Sequence, residues 1–186
     1  MGYIRIVGGE LRGRRILVPD RGVRPTSERT REAVFNVLGP RAVLGARVLD
    51  LYAGTGALGI EALSRGARET RFVERSRPVA RALRENLDRL GLAGKATVHE
   101  EDLSRVKLPP LILGPFDIVF LDPPYAGDAG PLWLERLRRM PWPEGGGLVV
   151  YERRKGTEAP APGGFEVATE RTYSDTTVTF YRVLAA

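Results

Sequence analysis

From Arg47 onward, short β-rich runs alternate with segments of helical spacing, and that alternation leaves a chain few folds to choose from. Strands separated by helices pair in parallel, because each crossover returns to the same end of the sheet, and the helices then cover both faces. The β-rich runs fall at residues 47–52, 70–74, 96–100, 116–121 and 147–152, and the helical ones at 57–65, 78–90 and 131–139. After Glu152 the alternation stops. A Pro- and Gly-containing stretch, 157–164, leads into two closing strands, 165–171 and 176–183, which read as a β-hairpin. At 186 residues the chain holds one catalytic domain and a small appendage.

The first turn of this series is Val48-Leu-Asp-Leu-Tyr-Ala-Gly-Thr-Gly-Ala-Leu-Gly59. Gly54, Gly56 and Gly59 have the G-x-G-x-x-G spacing that lets a nucleotide cofactor approach the backbone between a strand and a helix. Alone the pattern is weak. Glu74 closes the second strand, where an acid can hold ribose hydroxyls, and this suits a dinucleotide and S-adenosylmethionine equally. Asp50 separates the two. Its carboxylate lies at the end of the first strand, where it would repel a pyrophosphate but attract the amino and sulfonium end of S-adenosylmethionine; the alternative is a carboxylate that caps the loop. Asp102 follows the third strand and can accept a bond from an adenine amino group, unless it is a plain N-cap. Tyr52, Arg75 and Leu103 flank these positions and complete the expected cofactor set.

Asp122-Pro-Pro-Tyr125 follows the apolar strand 116–121 and therefore faces the same crevice as the glycine loop. An exocyclic base amine is a poor nucleophile because its lone pair is delocalised into the ring. Two acceptors on its hydrogens, the Asp122 carboxylate and the Pro123 carbonyl, pull the nitrogen toward tetrahedral geometry. Prolines fix φ and bring no competing N–H. Tyr125 offers a face for the base to stack on and for the positive charge that forms on nitrogen. A rigid turn is the other use of such a tetrapeptide. One histidine and no cysteine leave no thiol–imidazole or metal-ligand set, so no metal is expected.

The net charge of +6 is unevenly placed. Residues 1–31 hold eight arginines against three acids, a net of +5, and the rest of the chain is close to neutral. Two short apolar stretches, 3–7 and 16–18, with Gly8, Gly9 and Gly13 between them, read as a basic β-hairpin. A helix capped by Ser27 and ended by Gly39-Pro40 follows, so residues 1–40 form a basic extension and 41–186 the catalytic domain. Arg5, Arg12, Arg14, Arg15, Arg24, Thr26 and Arg29 are the expected contacts to a phosphate backbone, since guanidinium grips phosphate in a bidentate way. A solvated charged face is the bland alternative. No apolar run is long enough for a membrane span, and without a signal core a cytoplasmic location follows by default.

At these residues the chain resembles the bacterial 16S ribosomal RNA guanine-N2 methyltransferases of the RsmD type. The resemblance runs through Arg5-Ile-Val-Gly-Gly-Glu-Leu-Arg-Gly-Arg14, Arg24-Pro-Thr-Ser-Glu-Arg-Thr-Arg-Glu-Ala-Val-Phe-Asn-Val-Leu38, the loop 49–59, Asp122-Pro-Pro-Tyr125 and Tyr173-Ser-Asp-Thr-Thr-Val-Thr-Phe-Tyr181. Tyr52 stands where phenylalanine is common and Ser174 where glycine is common. The resemblance implies a class I S-adenosylmethionine-dependent fold, a Rossmann-like, mostly parallel seven-stranded α/β sheet that closes on an antiparallel hairpin. It implies methylation of one guanine N2 in 16S rRNA, within the small ribosomal subunit or a late assembly intermediate, by a monomer with no DNA partner. The rival readings are a DNA adenine-N6 methyltransferase, for which the chain lacks a sequence-reading domain, and a non-catalytic RNA-binding assembly factor.

Overall fold

A computed structural model describes residues 2–20, 23, 25–105, 114–125 and 127–184; Arg24, one of the expected RNA contacts, lies outside the described residues. The chain begins with β1 (Gly2–Arg5) paired antiparallel to β2 (Arg15–Val18), followed by α1 (Glu28–Leu38) and the short α2 (Pro40–Val43). Ser27 caps α1 by accepting the Thr30 N–H at 3.1 Å. The alternating part comprises β3 (Arg47–Leu51), α3 (Ala57–Ser64), β4 (Glu69–Val73), α4 (Arg77–Leu90), β5 (Ala96–His99), β6 (Ile118–Leu121), α5 (Ala129–Leu137) and β7 (Leu148–Arg154). It closes with β8 (Phe165–Tyr173) and β9 (Thr176–Val183).

Seven strands form one sheet in the order β5-β4-β3-β6-β7-β9-β8, parallel from β5 to β7 and antiparallel where β9 inserts between β7 and β8. This is the class I methyltransferase arrangement expected from the alternation and the closing hairpin. β3 runs out to β4 and β5 on one side, and the chain then returns to β6 on the other. The strand order therefore reverses between β3 and β6, and the crevice beyond their carboxyl ends is where open α/β sheets bind ligands.

Alternation along the strands divides the core in two. Val48, Phe72, Ile118, Phe120 and Val150 face one way, with α1, α3 and α4, while Leu49, Leu51, Val119, Leu121 and Val149 face the other, with Trp133 and Leu134 of α5. The element edges shift from the sequence expectation for local reasons. α1 does end at Gly39, but Pro40 then opens α2, since a proline at the first helical position loses no hydrogen bond. β7 runs on to Arg154 because β9 pairs with it as far as Thr176.

The N-terminal hairpin is docked rather than free. Ile6 and Ile16 are fully buried in the core shared with α1, α3 and α4. The Asn86 side chain of α4 makes both backbone bonds to Leu17 at 2.9 Å, and the Val7 and Gly8 N–H groups donate to the Glu61 carboxylate of α3 at 2.9 and 2.7 Å. No described helix is long and apolar enough to cross a membrane.

Candidate active site

A cleft of about 800 Å³ opens beyond the carboxyl ends of β3, β4 and β6, a size suited to a small organic ligand. One half is walled by Asp50, Tyr52, Gly54, Glu74, Arg75, Glu101 and Leu103, the other by Asp122, Pro123, Tyr125, Glu152 and the β8–β9 turn. Thr26, Ser27 and Arg29, at the start of α1, close it from above the sheet.

Local hydrogen bonding fixes the first half. Glu74 accepts the Gly54 N–H at 3.0 Å and the Ser76 N–H at 2.8 Å, which ties the loop after β3 to the end of β4. Asp50, almost wholly buried, accepts the Gly59 N–H at 3.0 Å, so the loop-capping reading holds for one of its oxygens even as it lines the cleft. Gly56 and Gly59 are not among the lining residues; they serve the packing of α3. Gly56 sits at φ +74 as the N-cap, and a Cβ there would lie 2.3 Å from Leu83; a Cβ on Gly59 would lie 2.3 Å from the Phe72 ring. Gly54 and its neighbours Thr55, Ala57 and Leu58 line the cleft.

Asp102 has a local partner. Its Oδ1 accepts both the Ser104 N–H, at 3.0 Å, and the Ser104 hydroxyl, at 2.7 Å, and those two bonds hold its carboxyl below the usual range. The side chain thereby closes a local turn, while Glu101 and Leu103 on either side of it line the cleft. Glu101 carried no signal of its own, because three consecutive acids, Glu100 to Asp102, do not show which one turns inward.

The second half gathers oxygen ligands. Tyr125 keeps 43% of its surface exposed, so a ring face is open to a ligand, while its hydroxyl bonds Thr176 Oγ1 at 2.6 Å and reaches Glu152 Oε1 at 3.4 Å. Burial pushes the phenol up and the Thr176 bond opposes it; Glu152, Asp122 and Asp175 add to the push. Tyr52 and Ser174, the two non-glycine residues at positive φ among the described residues, at +58° and +54°, both line this cleft. Backbone strain of that kind collects at functional sites, and it explains why glycine suits position 174. Glu152 carried no sequence motif, and the segment 173–181 gave no hint that Asp175 and Thr176 reach the site; the insertion of β9 beside β7 brings them to Tyr125.

The donors suit S-adenosylmethionine: carboxylates for its cationic end and ribose hydroxyls, and Leu103, Val73 and Tyr52 for an apolar ring. Among the described residues no group of three or more His, Cys, Asp or Glu is placed to hold a metal ion.

Asp50 gives a test of this fit. Burial pushes its carboxyl from 3.8 up to about 8, with the Gly59 N–H opposing and Glu74 adding to the push. The folded protein thus holds this proton across a window where the unfolded chain has lost it, so its contribution lowers stability as pH rises from about 4 to 8. A cation bound beside Asp50 favours the ionised form and expels the proton. Calorimetric titration of S-adenosylmethionine at pH 6.5, in two buffers of different ionisation enthalpy, is expected to report release of close to one proton. Asp50→Asn should abolish the release, and equal release in the variant would assign the proton to another group.

The comparisons with known proteins agree with this architecture. The family model described as Conserved hypothetical protein 95 matches residues 4–182. The Ribosomal RNA small subunit methyltransferase D of Escherichia coli (strain K12) is 43% identical over 125 residues, which cover 67% of this chain and 61% of that protein, so the match spans less than two thirds of its length. The solved structure of Escherichia coli yhhF is 35% identical and superposes with a TM-score of 0.86, with both chains covered in full. An RNA methyltransferase from Salinibacter ruber, solved with S-adenosyl-L-homocysteine, has a TM-score of 0.66 over 87% of this chain and 95% of that one; at 16% identity it shares the fold.

Proposed function

The chain belongs to the Conserved hypothetical protein 95 family, that of the RsmD-type methyltransferases, and from that premise we propose that it transfers a methyl group from S-adenosylmethionine to the exocyclic N2 of a guanine in 16S rRNA of the small ribosomal subunit. The observation that carries the proposal is the single cleft into which both the Gly54–Glu74 loop pair and Asp122-Pro-Pro-Tyr125 open. S-adenosylmethionine, when bound, supplies an electrophilic methyl group on a sulfonium.

The chain's own residues do the rest. Glu74 and Asp50 orient the donor's polar end, and the apolar wall of Leu103 and Tyr52 excludes water from its ring. Asp122 and the Pro123 carbonyl accept the two hydrogens of the target amine and localise its lone pair. Tyr125 stacks on the base, and its π face and the surrounding carboxylates stabilise the cation that forms before the amine loses its proton. A base reaches such a pocket only when turned out of its stack.

The basic extension is assigned to RNA phosphates. Arg5, Arg12, Arg14, Arg15 and Arg29 are exposed, and Arg29 stands at the cleft mouth beside Thr26. Arg15 stacks over the Tyr3 ring at 4.1 Å and Arg14 bonds the Arg89 carbonyl at 3.0 Å, so both are held at the surface rather than free in solution. Arg31 is the exception: it is buried and offers no charge to RNA.

The test is transfer of labelled methyl from S-adenosylmethionine to small subunits, naked 16S RNA, large subunits and DNA. Label is expected on guanine N2 of the small-subunit RNA. Replacing Arg12, Arg14 and Arg15 together by alanine is expected to raise the subunit concentration needed and to flatten the salt dependence, with cofactor affinity unchanged. Label on DNA adenine, or on no nucleic acid, would overturn the proposal.

A further inference from the structure

Asp122 acts on a guanine's amine but does not by itself tell guanine from any other base that carries a 2-amino group. Guanine presents one more donor on that edge, the N1–H beside the amine. When Asp122 and the Pro123 carbonyl occupy the two amine hydrogens, N1–H needs its own acceptor, because a buried donor without one opposes binding.

β6 and β7 are adjacent and parallel, with Leu121 paired to Tyr151. Glu152 follows Tyr151 within β7 and Asp122 follows Leu121 just past the end of β6, so the two acids sit one residue beyond a paired position on strands about 4.8 Å apart. Alternation along β7 puts Glu152 on the face of Val150, the face on which α1 lies, and Asp122 lines the same cleft. Glu152 is half-buried in the cleft wall, paired through β9 to Val178, and within 3.4 Å of the Tyr125 hydroxyl. A strand held in two ladders fixes its position more tightly than the β8–β9 turn fixes Asp175.

We propose that Glu152 is a specificity-determining residue that accepts the N1–H of the target guanine while Asp122 takes the adjacent amine. The inference rests on the guanine-N2 reading above. It follows that the site disfavours any base whose N1 carries a lone pair, since that lone pair would face the Glu152 carboxylate. The Tyr125 hydroxyl, held by Thr176, sets the carboxylate against the stacked base.

The experiment compares small subunits assembled on 16S RNA carrying either guanine or 2-aminopurine at the nucleotide that the wild-type protein labels. 2-Aminopurine keeps the amine and replaces N1–H with a lone pair. The wild-type protein is expected to favour guanine in kcat/KM on the order of 10- to 100-fold, as a well-placed pair of base contacts does. Glu152→Gln has an amide that can donate to the lone pair, so it should lose on guanine, gain on 2-aminopurine and bring the ratio to within a few-fold. A thermal melt and a cofactor titration check that the variant is folded. A variant that keeps the wild-type ratio would overturn the role of Glu152 and leave the guanine-N2 reading intact. A wild-type protein that labels no guanine N2 would overturn both.

Discussion

Asp122→Ala is expected to lower kcat by about 10²- to 10⁴-fold, the range by which positioned acid–base groups act, while cofactor affinity stays within a few-fold of wild type. Asp122 follows the end of β6 and lines the same cleft as Glu74 and Asp50, but those two acids are the ones assigned to the donor, so its removal is expected to leave cofactor binding largely intact. The amine then keeps one acceptor, the Pro123 carbonyl, and its lone pair stays delocalised into the ring. Asp122→Asn should fall almost as far, because an amide presents one oxygen but also a donor toward an amine that needs acceptors. Turnover with small subunits, beside calorimetry with S-adenosylmethionine, separates the two effects: an interaction made only as the reaction proceeds lowers kcat and kcat/KM together. Activity within a few-fold of wild type would remove Asp122 from the mechanism.

The fold was largely legible because its signals are local. β-rich runs, helical spacing, the glycine loop and the closing hairpin are each read within a dozen residues, and the sheet assembles them in the expected class. The lining of the cleft was legible where it sits at strand ends, as with Glu74 and Asp122, since parallel sheets open their crevices there. The sequence was silent on which partner a side chain takes where it has a choice. Asp102 bonds the nearby Ser104 hydroxyl, and Gly56 and Gly59 answer to Leu83 and Phe72, partners that lie far along the chain. The arm shows the same limit: charge counting placed Arg31 with its neighbours, yet it is fully buried.

Glu61 stands in the apolar helix α3, all of whose residues are buried, and its carboxylate accepts the Val7 and Gly8 N–H groups and the Arg65 guanidinium at 2.9, 2.7 and 2.9 Å. Arg31 Nε faces the same carboxylate at 3.9 Å, and both side chains are fully buried. The other guanidinium nitrogens donate to the carbonyls of Thr26, at 2.6 Å, and Arg5, at 2.5 Å, so the pair joins β1, the cleft wall and α3. Burial pulls the Arg31 guanidinium below its ordinary range, and Glu61 and then Glu28 pull it back. Glu61→Ala strips the charge that offsets this burial and orphans two backbone donors, at a cost of about 3–5 kcal/mol. For a chain of this size that lowers Tm on the order of 6–20 °C. Glu61→Gln keeps the shape and isolates the charge, and pairing it with Arg31→Met should restore part of the loss, because the two side chains are coupled. Thermal melts of the singles and the double, with hydrogen exchange at Val7 and Gly8, measure both the stability and the docking of the hairpin. If Glu61→Ala melts within 2 °C of wild type with those amides still protected, the hairpin is held by Ile6, Ile16 and the Asn86–Leu17 bonds without Glu61. If it opens as expected, subunit binding weakens with it while cofactor affinity holds, since the arginines assigned to RNA are carried on the segment that Glu61 pins down.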